Sequence, residues 1–292
     1  MTMREYHADL AFGPTASFGE GPLWDDREGV WWWTDIPGET IHRYDPRTGE
    51  DTTIPVGTNV GALVPRAEGG LAAATRDGFA LIDRQGIVDL IAPINEHDPS
   101  MRMNDGKCDR AGRFYASTMT FTGEEPRGQL LRLDADRSVH MQAENLHIGN
   151  GLAWSSDDRT FFFTDTMSMR VDAYDVDPTT GDLSKRRQAF DIDPSHGQPD
   201  GFCIDDEGAL WIAMWKGSAV RRYAPDGELL AIVHLPVSNV TCPAFGGSNY
   251  DELFITTAAP TFSGLPDAEQ LGGAVFRLRP GISGPPPNAF TG

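Results

Sequence analysis

The sequence predicts an all-β fold, a six-bladed β-propeller with four antiparallel strands per blade. Three observations carry that prediction. A strand–turn–strand unit recurs six times along the 292 residues, and the starts of its second strands, at Trp31, Leu71, Phe114, Phe161, Leu210 and Leu253, lie 40, 43, 47, 49 and 43 residues apart. Units of about 45 residues with about four strands each are the mark of propeller blades. Gly (32) and Pro (21) are abundant without a period of three, which is the punctuation of many short strands and not of collagen. No amphipathic stretch of a dozen residues has helical spacing, so βαβ and helical-repeat folds are disfavoured. The runs WWWT, FFFT and LFIT are instead rich in β-formers and bounded by Asp/Gly turns.

Taken in order, Tyr6–Phe12 reads as a spare strand. The first unit follows in WDDREGVWWWTD and TIHRYDPRTGE, with Trp31, Trp32 and Trp33 expected at blade core and edge. The second is AEGGLAAAT with GFALIDRQG, and the third is CDRAGRFYAST with GQLLRLDADRS. The fourth is WSSDDRTFFFTD with RVDAYDVDPTTGDL, and the fifth is IDDEGALWIAM with SAVRRYAPDGEL. The sixth, GSNYDELFITT with GAVFRLRPG, ends near Arg279 with only three strands. The spare N-terminal strand is therefore expected to complete it and close the ring. From about Gly281 the tail reads as irregular, and residues 1–292 are expected to form one domain.

Asp plus Glu number 43 against 24 Lys plus Arg, a formal net charge of −19. A nucleic-acid partner needs a basic face, and so does docking on anionic lipid, so both are excluded. An acidic chain does leave room for a bound cation. Cys108, Cys203 and Cys242 are far apart with no CxxC, which argues against a disulfide framework or a zinc site. With no apolar run of membrane-spanning length and no signal-like N-terminus, the chain reads as reduced, soluble and cytoplasmic. GxSxG, P-loop and HExxH patterns are absent. Asp134-x-Asp136-x-Ser138 begins like an EF-hand loop, but Val139 stands where Gly is needed and Asn145 where the last Glu should be, so it reads as a turn.

A glycine recurs just before the expected first strand of five units, at Gly21, Gly61, Gly106, Gly151 and Gly201, with Pro243 at the sixth place. The preceding residues are Glu20, Val60, Asp105, Asn150, Asp200 and Cys242. First strands line a propeller's channel, so residues at one phase form a ring about its axis. Asp and Asn before Gly are also ordinary turn residues, but Glu20 is a poor turn former and sits at the same phase. A converging Glu, Asn and Asp suits a hard divalent cation such as Ca²⁺, Mg²⁺ or Mn²⁺. Three protein ligands would leave positions open for water or substrate, the pattern of a catalytic site. His147 and His196, a few residues before Asn150 and Asp200, read as solvated loop residues near the channel mouth.

GEGPLW with Glu20, RMNDGKCDRAGRFYASTM, IGNGLAWSSDDRTFFFTDT with Asn150, QPDGFCIDDEGALWIAMW with Asp200, and NVTCPAFGG followed by LFITTA and GGAVFRL stand in order at propeller spacing. In these runs the chain resembles the senescence marker protein, gluconolactonase and luciferin-regenerating enzyme family, over roughly Phe18 to Leu278. The resemblance implies a six-bladed propeller with one divalent metal in the channel, held by Glu20, Asn150 and Asp200. It also implies Asp200 as general base, and Arg102 and Asn104 as residues binding substrate hydroxyls. Phase alone selects Asp105, which the resemblance replaces with its neighbour Asn104, leaving Asp105 as a turn residue. The chain departs from some family members after the triplet Ser117–Met119, where Thr120, Phe121 and Thr122 stand in place of a substrate-binding Glu. The activity implied is metal-dependent hydrolysis of a sugar lactone to its aldonic acid. Ca²⁺ is the first choice of ion, with Mg²⁺, Mn²⁺, Zn²⁺ or Fe²⁺ open. The same site acting on a non-sugar ester, a secondary-metabolite lactone or an organophosphate is the second reading. A non-catalytic calcium-binding regulatory propeller is the third. The loops Thr120–Arg127 and Pro260–Gln270 are expected to shape the pocket.

Overall fold

The structure is a computed structural model and describes residues 3–264 and 270–292. Six small sheets are arranged as the blades of a propeller, each ordered from its first strand outward. The first strands are Gly19–Asp25, Val60–Pro65, Met101–Cys108, Gly149–Trp154, Gln198–Ile204 and Val240–Gly246. Each touches the first strand of the next blade, and that of blade 6 touches that of blade 1, so the ring is closed about a channel. Within each blade consecutive strands pair antiparallel, because turns such as Asp134–Ser138 reverse the chain by side-chain capping. There the Ser138 amide donates to Asp136 Oδ1 at 2.9 Å.

Each blade alternates its residues between two faces, so the apolar sets of adjacent blades meet. One buried cluster fills each of the six gaps between blades. The gap that closes the ring, between blades 6 and 1, is the most aromatic. Trp31 stacks on Phe254 with centroids 4.4 Å apart and an interplanar angle of 9°, and Phe12 stacks on Tyr44 at 4.4 Å. Trp31, Trp32 and Trp33 are all buried, so none lies at a blade edge as expected. The strand Val30–Asp35 is the second of four and has a packed neighbour on both faces.

The N-terminal segment divides between two blades. Asp9–Phe12 pairs antiparallel with Val275–Leu278 and supplies the expected fourth strand of blade 6. Arg4–His7 instead pairs parallel with Leu229–His234, giving blade 5 a fifth strand. The chain switches at Ala8, whose amide still donates to His234 O at 3.1 Å. Beyond Gly281 the tail forms no strand but is pinned to the body. Phe290 is fully buried among Phe79 and Phe114, and its amide donates to Pro65 O at 2.8 Å. Among the described residues no helix is long and apolar enough to cross a membrane.

Candidate functional site

Each of the six first strands has a register shift at the same phase. The shifts fall between Glu20 and Leu23, Val60 and Ala62, Met103 and Gly106, Asn150 and Leu152, Pro199 and Phe202, and Val240 and Cys242. The repeated glycines thus lie inside the first strands and not before them, because the strand runs on through a bulge that re-aims one side chain. Glycine is required there by close packing around the axis. Gly151 has φ of +25° and a Cβ would overlap the Phe202 ring, while a Cβ on Gly201 would meet Cys242 Sγ at 2.5 Å.

The residue before the glycine adopts one local geometry in three blades, its side-chain oxygen accepting from the glycine amide. Glu20 Oε2 does so from Gly21 at 2.8 Å, Asp105 Oδ1 from Gly106 at 2.7 Å, and Asn150 Oδ1 from Gly151 at 3.3 Å. At Asp200 the Gly201 amide likewise favours the carboxylate. All four residues are buried. The amide of Asn150 donates through Nδ2 to Asp200 Oδ1 and to Thr166 Oγ1, the latter at 3.2 Å. Thr166 Oγ1 in turn donates to Pro199 O at 2.8 Å, which ties the amide to blade 5.

Burying these carboxylates together raises their proton affinity. Burial, then the charge of Asp105, pushes Asp200 up to about 8. Burial, then Asp200 and Asp105, holds Glu20 well above the usual carboxylate range. Two cations oppose this. Arg102 is drawn down to about 10 by its own burial. Lys107 is half-buried. Desolvation is the largest single effect on it and lowers its pKa, but the surrounding charges, Asp105 first, together outweigh that cost and the pKa is raised. Arg102 Nη1 donates to Met103 O at 2.9 Å and to Asn104 Oδ1 at 2.6 Å, and Asn104 Nδ2 donates to Gly149 O at 2.9 Å. Asn104 therefore braces Arg102 against blade 4 with both ends of its amide engaged.

Glu20, Asn150, Asp200 and Arg102 thus come together from blades 1, 4, 5 and 3. Two further residues belong with them. Asp105 is no turn residue: it is 3% exposed within the strand Met101–Cys108, and its Oδ2 has no hydrogen-bond partner. The glycine phase is the signal that finds it. Lys107 is the other, and its signal is a lysine inside a buried strand of a chain with only three. His147 and His196 stand apart from this set. His196 is half-buried and shares a hydrogen bond with the Tyr223 hydroxyl at 3.1 Å.

The donor set offers a cation two carboxylates and one amide oxygen. Among the described residues no three His, Cys, Asp or Glu side chains are gathered as a ligand set by themselves. The residues nevertheless fit a hard cation. Their donors are all oxygens, Asp105 Oδ2 is buried without a partner, and three carboxylates face two protein cations. Presenting Asn150 Oδ1 to an ion requires its amide to turn over, which exchanges the bond to Asp200 for a shared ligand. On the opposite side of Asp105 and Lys107 lies a cavity of about 320 Å³ walled by Trp24, Leu63, Trp154 and Phe245 and crossed by the tail at Pro286.

A closed six-bladed ring with buried oxygen donors at one phase defines the class. The chain belongs to the SMP-30/gluconolactonase/LRE-like family, whose profile matches residues 18–259. Among its relatives, the regucalcin of Danio rerio is 37% identical over 284 residues, covering 94% of this chain and 95% of that one. YvrE of Bacillus subtilis (strain 168), provisionally named a sugar lactone lactonase, is 34% identical over 280 residues, covering 95% and 96%. A crystal structure of a calcium-binding protein, regucalcin, from Agrobacterium tumefaciens str. C58 superposes with a TM-score of 0.91 at 27% identity, covering 99% of both chains.

Proposed function

We propose that this protein hydrolyses a sugar lactone to its aldonic acid, using one divalent cation held by Glu20, Asn150 and Asp200. Calcium is the ion we favour, since one similar structure is described as a calcium-binding protein. YvrE, provisionally named a sugar lactone lactonase, supports the substrate class. The observation that carries the reading is the buried meeting of Glu20 and Asp200, drawn from two blades 180 residues apart in sequence, with Asn150 between them in sequence and hydrogen-bonded to Asp200.

When bound, the cation supplies Lewis acidity toward the lactone carbonyl oxygen. The chain's own groups supply the rest. With a cation beside it, the Asp200 carboxyl gives up the proton that burial makes it hold. It is then a carboxylate able to take a proton from the attacking water as the water oxygen bonds to the carbonyl carbon. The C–O bond of the lactone ring breaks next, and the ring oxygen leaves as a hydroxyl with the proton returned through Asp200. Arg102 has its Nη1 fixed by Met103 and Asn104, which leaves Nε and Nη2 to donate to the substrate. Asn104 and Arg102 together orient the sugar hydroxyls.

The test is acid release from a panel of aldonolactones with and without chelator, comparing the protein with Asp200→Asn. Activity should need the cation and fall by about 10²–10⁴-fold in the variant. A cation-loaded protein that opens none of the panel would sink the reading. One observation favours a second reading, a lactone or ester with an apolar part. Phe121, Met167 and Phe262 lie on the loops leading from second to third strands, at the end where the first strands begin, and are 45%, 49% and 47% exposed. Faster turnover of an aryl or alkyl ester than of every sugar lactone would establish it. Calcium binding without any turnover would favour a regulatory propeller instead.

A further inference from the structure

Among the described residues, Lys107 is the cation set into the channel wall beneath the oxygen ring, and neither the proposed chemistry nor the family resemblance gives it a task. Its strand, Met101–Cys108, belongs to blade 3, yet its ammonium donates to backbone carbonyls of two other blades. These are Leu152 O of blade 4, at 3.2 Å, and Phe202 O of blade 5. Both carbonyls belong to first strands and both lie just past the bulge, so the ammonium sits below the phase of Glu20, Asn150 and Asp200. Asp105, two residues away on the same strand, is the strongest source of charge acting on it. Asp105 Oδ1 accepts from the Gly106 amide, while Oδ2 has no hydrogen-bond partner, so Lys107 balances the charge through space and not by a direct contact.

Two backbone carbonyl oxygens from two blades meet at the ammonium, with the Asp105 charge acting on it through space, and carbonyl oxygens beside a carboxylate are the donors a hard cation takes. Lysine heads are strongly hydrated and sit mostly in water, whereas Lys107 is half-buried at the cavity wall and spends its ammonium on backbone carbonyls of two other blades. We infer that Lys107 is the channel's built-in cation: its ammonium occupies a second cation position beneath the ring, balances Asp105, and limits the ring to one divalent ion. It is a positioning residue, acting on the metal and on the alignment of blades 3, 4 and 5, and it does not touch the substrate. The inference rests on the ring holding a divalent ion, as in the proposed function.

The experiment is calcium titration by calorimetry, with thermal unfolding in chelator and in excess calcium, on the protein and on Lys107→Met, which keeps the apolar stem and removes the charge. The unaltered chain should bind one ion. The variant should bind two, or bind one about tenfold tighter, and should be destabilised in chelator and recovered by calcium far more than the unaltered chain. One ion at unchanged affinity in a folded variant would overturn the inference. If the variant fails to fold in chelator, recovery on adding calcium supports the inference. Failure in both buffers, not relieved by the paired change Lys107→Met with Asp105→Asn, counts against it. An unaltered chain that binds no divalent ion would instead overturn the metal reading of the proposed function.

Discussion

At the scale of single residues the site is a set of buried carboxylates, and its proton affinity gives a prediction with an unusual sign. Asp200 is pushed up to about 8, first by burial and then by Asp105. Its ordinary value is 3.8, so between about pH 4 and pH 8 the folded chain holds a proton that the unfolded chain has released. Stability rises with pH only where the unfolded state binds more protons. The cation-free protein should therefore become less stable as pH rises through that window. Glu20, held high chiefly by burial, acts in the same direction. A bound cation replaces those protons, so calcium should flatten the slope and should bind more weakly as pH falls. Urea unfolding midpoints at pH 5 and pH 8, in chelator and in calcium, measure both effects, and Asp200→Asn should remove part of the slope. A midpoint in chelator that climbs with pH would refute the account. This residue-level pattern was only partly legible in the sequence. The recurring glycine marks the phase, and phase is a property of the repeat. Whether Asp105 or Asn104 faces the axis is decided by a bulge that displaces the strand by one residue, and no single sequence spells out a bulge. Lys107 stands out in the sequence only as a rare lysine, and its role was illegible because its partners are backbone carbonyls of other blades.

At the scale of elements, the strands were readable because turns and β-rich runs alternate with a steady period, and second strands depend only on local sequence. Asp9–Phe12 was readable by subtraction, since a blade with three strands lacks one. Arg4–His7 was not. Its parallel pairing with Leu229–His234 is a matter of where the chain arrives, and an edge strand in which only Tyr6 is half-buried has no hydrophobic alternation to betray it. The two segments should also differ in energetic weight. Phe12 belongs to the aromatic seam between blades 6 and 1, with Trp33, Tyr44 and Phe254 around it, while Arg4–His7 adds mostly exposed residues. Trp31, 1% exposed and stacked on Phe254, is the centre of that seam. Trp31→Ala should cost about 3–5 kcal/mol and lower the melting temperature by on the order of 10 °C. Removing the residues before Asp9 should lower it by much less. Equal effects of the two changes, read by calorimetry, would show that the seam is not what closes the ring.

At the scale of the whole molecule, the site and the fold are the same object viewed along the channel. No blade contains the site. Glu20, Arg102 with Asp105, Asn150 and Asp200 come from four blades, so the ring must be closed before the donors converge. Closure itself brings like charges together in a chain that already carries a net charge of −19. A cation that joins blades 1, 4 and 5 should then stabilise the entire ring and not one part of it, because it binds only the closed form. Binding to the folded state alone adds RT ln(1 + [L]/Kd), about 2.7 kcal/mol at a hundredfold excess of ligand over Kd. For a chain of this size that is a rise in melting temperature on the order of 5–10 °C. If residues 1–292 are one cooperative domain, the rise should appear in a single calorimetric transition whose van't Hoff and calorimetric enthalpies agree. Glu20→Gln and Asp200→Asn should each abolish the rise, although they change residues of two different blades, 1 and 5. Two separable transitions, only one of them moved by calcium, would mean that some blades unfold independently of the site, and the coupling of closure to the cation would have to be abandoned.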